Sequence, residues 1–277
     1  MNACEWGRVI DHDRYARLVA ILRTNNVPET GPLPPTWHWL YTHESPIDAP
    51  LRRDGHVAVL PHGVPETHSR RLWTGSEIQI HRHTCVGTHV TFRIRVGEAI
   101  SKTGRSGSLV FVPLEVTVFD DHGCLLTETR TGVYKDSPAD ITAEGTSAYE
   151  MWKPGRYHST VSAVVQLDEV SLFRYSALLG VCHRIHYDHP YATSVERYPG
   201  LVVHGPLVAQ MLVFHARALA ACDDVHAVRV VSHRPSFAGE PLRLCAARCE
   251  QRQQVVAWAE GPDGCERMHV ELTMCNQ

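Results

Sequence analysis

Two histidines and an aspartate able to transfer protons lie within residues 183–188 of this chain. They are His183, His186 and Asp188, and residues 204–206 (His-Gly-Pro) then open an apolar helix. The free N–H groups and partial positive charge of a helix N-terminus can hold a carbonyl oxygen as negative charge develops on it. Histidine can move a proton near neutral pH. The arrangement therefore favours acid–base chemistry on a thioester.

A metal site in this loop is a weaker interpretation. His183, His186 and His189 recur every third residue, which would place the first two on one face of a helix. Pro190 follows directly and argues against a continuous helix, and no matching cysteine or carboxylate set accompanies these histidines. The sequence also lacks the G-x-S-x-G motif of serine hydrolases and the glycine patterns that bind nucleotides. We therefore expect no metal ion and no other cofactor.

The composition is that of an ordinary globular protein. Its 277 residues suffice for two modest domains or one large one, and 43% are hydrophobic. The net charge of -3 gives no sign of nucleic-acid binding. The nine cysteines show no metal-binding spacing, so we expect them to be reduced and mostly buried, as in a cytoplasmic protein. The longest apolar run, residues 201–221, is interrupted by His204, His215 and Arg217, which predicts a buried helix instead of a membrane span.

Hydrophobic periodicity predicts a similar order of elements twice. Helices are predicted over 13–23, 169–179 and 205–222, the second of them capped by Asp168. Strands of the first half are predicted over 77–83, 89–100, 109–119 and 125–134. Strands of the second half are predicted over 160–167, 227–233, 241–249, 254–260 and 267–273. The repeated order suggests a duplicated α+β unit with an interdomain linker over 136–158.

Several motifs in both halves carry a family resemblance. In the second half they are H-R-I-H-Y-D at 183–188, P-Y-A at 190–192 and Y-P-G-L-V-V-H-G-P-L at 198–207. In the first half they are L-P-P-T-W-H-W-L-Y at 33–41, R-R-L-W-T-G at 70–75 and K-T-G-R-S-G-S-L-V-F-V at 102–112. Together they resemble the MaoC-like (R)-specific enoyl-CoA hydratases and 3-hydroxyacyl-thioester dehydratases. Within that family the chain is most similar to the branch that contains mesaconyl-C4-CoA and itaconyl-CoA hydratases.

The resemblance implies a double hotdog fold of the α+β class, in which each unit has a long helix wrapped by a curved antiparallel sheet. Residues 1–135 would form a degenerate dehydratase-like half, 136–158 a linker, and 159–277 a MaoC-like half with the active site. The implied enzyme is a carbon–oxygen lyase that adds water to the α,β-double bond of a short acyl-CoA, or removes it. For this branch the expected substrate is mesaconyl-CoA or itaconyl-CoA, converted to citramalyl-CoA in itaconate degradation.

Other activities stay open at this point. They are a 3-hydroxyacyl-ACP or acyl-CoA dehydratase of fatty-acid or polyketide synthesis, a non-catalytic acyl-thioester-binding subunit, and a thioesterase. In every case the expected partner is an acyl-CoA or acyl-carrier-protein thioester, with no nucleic acid and no membrane. The resemblance leaves both a monomer and a homodimer open.

The resemblance also assigns roles to residues of the loop at 180–204, here called the histidine loop. His186 takes the position of the histidine that activates water, and His183 would orient the loop or contact the substrate. Asp188 would cap the turn at 190–192. Arg184 could bind the carboxylate of a dicarboxylic acyl group or a CoA phosphate, or lie in solvent.

The backbone of Gly205, together with the turn at Gly200, would hold the thioester oxygen, and His204 would shape that turn. In the first half, three aromatic residues, Trp37, Trp39 and Tyr41, are expected in the core, with an acyl-tunnel wall as the alternative. Arg70 and Arg71 could reach CoA phosphates.

One position departs from the family pattern. Five residues before the water-activating histidine the family carries aspartate or asparagine, and this chain carries Val181. A carboxylate from elsewhere could substitute, for example Asp168 or Glu169. Alternatively, the histidine alone suffices with an activated substrate, or the hydratase activity has been lost.

Overall fold

Antiparallel strands of both halves of the chain join in one sheet. The computed structural model describes residues 3–22, 31–42, 49–68, 70–104, 107–135, 159–220, 225–249 and 253–274. Within these ranges the sheet has 11 strands. The predicted linker, 136–158, lies outside the described residues.

Several strands of the first half alternate between buried and exposed residues, as expected for a sheet with one face on a core, whereas two strands of the second half are buried along most of their length. Those of the first half are β1 (Cys4–Val9), β2 (Arg70–Ile80), β3 (His89–Val96), β4 (Ile100–Gly104), β5 (Gly107–Asp120) and β6 (Gly123–Lys135). Those of the second half are β7 (Val161–Gln166), β8 (Val225–Ser232), β9 (Pro241–Cys249), β10 (Gln254–Glu260) and β11 (Glu266–Met274). Their order in the sheet is β1-β3-β5-β6-β2-β8-β11-β10-β9-β7, and β4 pairs with β5 beside this path. The strand predictions were largely confirmed, but β1 and β4 were missed.

Four α-helices lie among the described residues. They are α1 (His12–Leu22), α2 (Trp39–Thr42), α3 (Glu169–Leu179) and α4 (Gly205–Ala220). Helix α4 packs on β9, β10 and β11, and α1 contacts both α3 and α4. Because α4 is apolar on nearly every side, it must be enclosed to be stable, and its first two turns are almost wholly buried. It is neither long nor apolar enough to span a bilayer, nor is any other described helix.

Helix α3 begins and ends as its sequence predicts. The Asp168 carboxylate accepts hydrogen bonds from the backbone N–H of Ser171 at 2.8 Å and from its hydroxyl at 2.6 Å. At the other end Gly180 adopts the left-handed conformation, with φ of 65°. The predicted cap is confirmed, and the chain enters the histidine loop directly after this glycine.

The two halves meet where β2 pairs with β8. Residues Gly75 to Gln79 of β2 lie opposite Val231 to Ala227 of β8. Gly75 has φ of 148° and sits at a register shift between β2 and β6. A Cβ on Gly75 would overlap the carbonyl oxygen of Val230, so only glycine lets the two strands approach here.

The expectation that most cysteines are buried was wrong. Of the seven described, all unpaired, only Cys245 is buried, whereas Cys4, Cys85 and Cys124 are exposed. Cys4 lies on edge strand β1 and Cys124 next to the β5–β6 turn, where side chains face solvent.

The β2–β8 junction can be tested by adding one methyl group. We expect Gly75→Ala to lower the free energy of unfolding by about 3 kcal/mol or more, because it combines backbone strain with overlap at Val230. Gly123→Ala is the matched control, since Gly123 also has positive φ (119°) but nothing within 4 Å of a new Cβ. It should cost only about 1 to 2 kcal/mol. Urea unfolding of both variants measures the difference, and equal losses would contradict a packing constraint at Gly75.

Candidate active site

The loop between α3 and α4 is shaped by short hydrogen-bonded turns. The N–H of Val181 donates to the carbonyl of Ser176 at 2.9 Å, which closes the end of α3. A 3-10 turn over Arg184–His186 and a π-helical turn over Tyr191–Val195 follow. These turns bring His183 and His186 back towards the start of α4.

The ring of His186 has a fixed proton arrangement. Its Nδ1 lies 2.7 Å from the carbonyl oxygen of Val202, which can only accept, so Nδ1 carries the hydrogen. The N–H of Val202 in turn donates to Ile185, which ties the two loop segments together. Burial lowers the pKa of His186 to about 4. The imidazole is therefore neutral near pH 7, and its Nε2 lone pair is available to a proton.

His204 lies against His186 at the start of α4. The two rings stack with centroids 3.7 Å apart and planes 17° apart, and His204 Nε2 is 2.8 Å from the Ser176 hydroxyl. The carbonyl of His204 accepts from the N–H groups of Leu207 and Val208. His204 thus begins the helix and also packs on the face of His186.

Gly205 presents a backbone N–H at the first turn of α4. Pro206 has no N–H, and the N–H groups of Leu207 and Val208 donate to the His204 carbonyl. In this turn the N–H of Gly205 therefore remains for a ligand. A Cβ on Gly205 would lie 2.6 Å from Cε3 of Trp73, so β2 packs too close for any other residue. By contrast, a Cβ on Gly200 would meet nothing within 4 Å, and packing does not require glycine there.

His183 connects this site to a segment of the first half. It is 8% exposed, and its ring lies 5.4 Å from that of His186 and 4.0 Å from that of His56. Burial, together with the neighbouring histidines, holds the pKa of His183 well below its usual range. The Nδ1 of His56 is 3.4 Å from Oδ2 of Asp54. Asp54, His56, His183, His186 and His204 therefore form a continuous row, here called the histidine row.

Among the described residues, three side chains of this row are of the types that bind metal ions and lie close to one another. Potential ligand atoms of Asp54, His56 and His183 all lie within 4.8 Å of one another. His189, which the sequence grouped with His183 and His186, is exposed and is not part of this group.

The chain matches known proteins in sequence and in fold. The sequence profile of hydroxyacyl-thioester dehydratase type 2 matches residues 36–234. The chain is also similar to mesaconyl-C(4)-CoA hydratase of Chloroflexus aurantiacus, with 34% identity over 95% of this chain and 96% of that protein. The chain belongs to the hydroxyacyl-thioester dehydratase family.

Solved structures share the fold of this chain. A MaoC-like dehydratase from Phytophthora capsici superimposes with a TM-score of 0.74 at 14% identity, covering 100% of this chain and 96% of that one. HtdX of Mycobacterium tuberculosis gives a TM-score of 0.70 at 17% identity, covering 99% and 100%. The large antiparallel sheet with few helices is therefore the hotdog fold of the MaoC-like dehydratases. As a member of the family, the chain is a hydro-lyase that acts on acyl thioesters.

Asp188 and Arg184 form an ion pair within the histidine loop. Arg184 Nε and Nη2 donate to one oxygen of Asp188 at 3.0 and 2.7 Å, and the other oxygen accepts from the N–H of Tyr191 at 3.0 Å. The Arg184 guanidinium also stacks on the Tyr191 ring and donates to the carbonyl of Arg53. Asp188 thus lies in the capping position expected for it. Arg184 has its bidentate edge occupied by Asp188, so this geometry does not favour it as the ligand of a substrate carboxylate.

The carboxylates suggested as substitutes for the family aspartate lie elsewhere. Val181 is partly buried and packs on the core. Asp168 is committed to the N-cap of α3, and Glu169 follows it in the exposed first turn. Neither belongs to the histidine row.

The aromatic residues of the first half are core residues, as expected. Trp37, Trp39 and Tyr41 are at most 5% exposed and belong to the main hydrophobic cluster. The Nε1–H of Trp39 also donates to Glu128, which is wholly buried and holds a further pair of partners, His38 at 2.9 Å and Arg130 at 2.8 Å. Sequence patterns did not indicate this buried ionic cluster, because His38 and Trp39 lie about 90 residues before Glu128 and Arg130.

A polar cavity of about 190 Å³ adjoins the histidine row. Three arginines and two carboxylates contribute to its lining: Arg52, Arg53, Arg70, Asp54 and Glu196. Arg70 is 6% exposed and lies 3.2 Å from Glu196, which makes it a bridge between the halves. Arg53 is exposed and makes no ion pair among the residues that the structure describes. Its guanidinium is therefore available to an anion.

The depressed histidine pKa values predict a pH dependence of stability. His38, His183 and His186 all have pKa values lowered by burial, so the unfolded chain binds more protons than the folded chain below about pH 6.5. Stability should therefore fall as pH decreases from 7.5 to 5.5, by several degrees in Tm. His186→Gln should make the slope shallower by removing one of the three contributions. Calorimetry at several pH values measures both slopes, and a Tm that rises on acidification would contradict the assignment.

Proposed function

We propose that this chain is a single-chain double hotdog that hydrates a short, branched, dicarboxylic enoyl-CoA with (R) stereochemistry. Residues 1–135 would form the first unit and 159–277 the second, which carries the acid–base residues. The observation that supports the chemistry most directly is His186, whose neutral ring offers Nε2 beside the first turn of α4. The similarity to a mesaconyl-C(4)-CoA hydratase over 95% of the chain supports the substrate class.

The proposed reaction uses His186 as the base and Gly205 as the donor to the thioester. His186 Nε2 removes a proton from water, and the water oxygen forms a bond to C3 of the enoyl group. The electrons of the double bond move towards the thioester carbonyl, whose oxygen accepts a hydrogen bond from the N–H of Gly205. The proton then passes to C2, which completes the addition of one water molecule. Removal of water from a 3-hydroxyacyl thioester follows the same steps in reverse.

The base can be tested by following the enoyl-thioester absorbance. We expect wild type to consume mesaconyl-C4-CoA faster than crotonyl-CoA, without release of free thiol. His186→Ala should lower kcat by about 10²- to 10⁴-fold, because it removes the group that accepts the proton. His189→Gln is the matched control, since it changes an exposed histidine of the same loop and should leave kcat unchanged.

Two results would count against this function. An active His186→Ala variant would exclude His186 as the base. Release of free thiol at the rate of substrate loss would indicate a thioesterase instead.

Arg53 offers a test of what the polar cavity binds. We propose that it binds an anionic group of the substrate, either the free carboxylate or a CoA phosphate. Arg53→Gln should raise KM about tenfold with little change in kcat, because ground-state and transition-state binding are lost alike. Arg8→Gln, on edge strand β1, serves as the control.

The two anions are separated by comparing substrates. A carboxylate contact would raise KM for mesaconyl-C4-CoA and not for crotonyl-CoA, which lacks that group. A phosphate contact would raise both values equally. An unchanged KM for both substrates would exclude Arg53 from binding.

A further inference from the structure

A base that becomes charged in a buried cluster needs a negative charge near it. When His186 takes a proton from water, an imidazolium forms beside His183 and His204, both of which are buried. An unpaired charge in such a place is unfavourable. Val181, at the position where the family carries aspartate or asparagine, supplies no charge.

The nearby carboxylates of the loop are already neutralised by arginines. The Nε and Nη2 groups of Arg184 both donate to the carboxylate of Asp188. Glu196 lies 3.2 Å from Arg70, which also donates to its backbone carbonyl. Each of these carboxylates therefore has a full counter-charge at hydrogen-bond distance.

Asp54 is placed differently. It is 9% exposed, and the guanidinium that pairs with its carboxylate among the described residues, that of Arg52, is 3.9 Å away from Nε to Oδ2, beyond hydrogen-bond distance. Both of its oxygens face His56: Oδ1 accepts from the backbone N–H at 2.9 Å, and Oδ2 lies 3.4 Å from Nδ1. Because a carboxylate can only accept, His56 Nδ1 carries the hydrogen. The ring of His56 lies against that of His183, with centroids 4.0 Å apart, and a carboxylate oxygen of Asp54 lies within 4.8 Å of a ring nitrogen of His183.

The segment that carries Asp54 and His56 is fastened to the histidine loop by its backbone. The N–H of Arg184 donates to the carbonyl of Asp54 at 2.9 Å. Gly55 lies so close to the loop that a Cβ would overlap the carbonyl oxygen of Cys182. Gly55 also has φ of 91°, a conformation that favours glycine. The contact between the two segments is therefore specific, and it places a carboxylate and a histidine beside His183.

We propose that Asp54 and His56 are positioning residues that act through His183 and compensate for Val181, which stands where the family has aspartate or asparagine. This inference rests on the proposed function, because it concerns the state in which His186 holds the proton from water. Asp54 supplies the counter-charge for that state. His56 keeps the ring of His183 oriented between Asp54 and His186. The proton that His186 takes from water stays on His186 until it is transferred to C2, and it does not pass to His183, His56 or Asp54.

The closing experiment removes the charge of Asp54 without removing its shape. Asp54→Asn is neutral and keeps one of the two oxygens that accept from His56. With mesaconyl-C4-CoA we expect kcat to fall about tenfold or more while KM stays within about twofold, since the effect arises only when the histidine is charged. Asp13→Asn is the matched control, because Asp13 pairs with Arg17 on the exposed face of α1. It should leave both constants unchanged.

A second variant returns the charge at the family position. Asp54→Asn combined with Val181→Asp should regain a substantial part of kcat, which a merely structural role of Asp54 would not produce. His56→Gln gives an independent arm: it should lower kcat and leave KM near that of wild type. Thermal unfolding of each variant confirms that a folded protein is compared.

The possible results separate this inference from the proposed function. An active wild type with an equally active Asp54→Asn variant would overturn the role of Asp54 and leave the hydratase intact. A lowered kcat that Val181→Asp does not restore, together with a raised KM, would indicate a structural role and overturn it too. Loss of wild-type activity on treatment with EDTA, restored by Zn²⁺, would show that Asp54, His56 and His183 bind a metal instead. A wild type that hydrates no enoyl-CoA would overturn both proposals.

Discussion

The pairing of β2 with β8 is the constraint on which the candidate site depends. Gly75 allows the two strands to approach, and the same strand carries Trp73, which packs on Gly205 at the first turn of α4. At its beginning β2 carries Arg70, which binds Glu196 and covers the ring of Tyr198 in the histidine loop. One strand of the first half therefore sets the position of the helix start and of the loop that faces it. A shift of β2 by one residue would exchange its two faces and remove both contacts.

A second line of support reaches the site through buried polar groups. The carbonyl of Thr36 accepts from Gln210, whose side-chain oxygen accepts from the hydroxyl of Tyr175. The ring of Tyr175 meets the ring of His204 edge-on at 4.9 Å. Nearby, Glu128 is fully buried with His38 and Arg130, and the two partners hold the pKa of Glu128 well below its usual range. Removal of one partner would leave a buried charge, so this cluster restricts the first half to one packing arrangement.

Much of the fold was accessible from the sequence because its signals are local. Alternating apolar residues gave most strands, and Asp168 with Gly180 bounded α3. Strand β1 was missed because nearly all of its residues are exposed, and β4 because its sequence, ISKTG, has little apolar alternation. The site was accessible only in part. The family resemblance pointed to His186, whereas Asp54 and His56 lie about 130 residues away in a segment with no periodicity. What brings them together is a tertiary contact at Gly55, for which the local sequence carries no signal beyond a turn.

The contact between the Asp54 segment and the histidine loop has a consequence for symmetry. When two identical hotdog subunits associate about a twofold axis, each surface must serve both sides of the interface with the same residues. In the double hotdog that we propose for this chain, the two sides belong to one polypeptide and differ in sequence. A substitution in the first half that improves its support of the loop therefore does not recur in the second half, which carries the loop. The histidine row, which begins in one half and ends in the other, is an arrangement that such asymmetry permits.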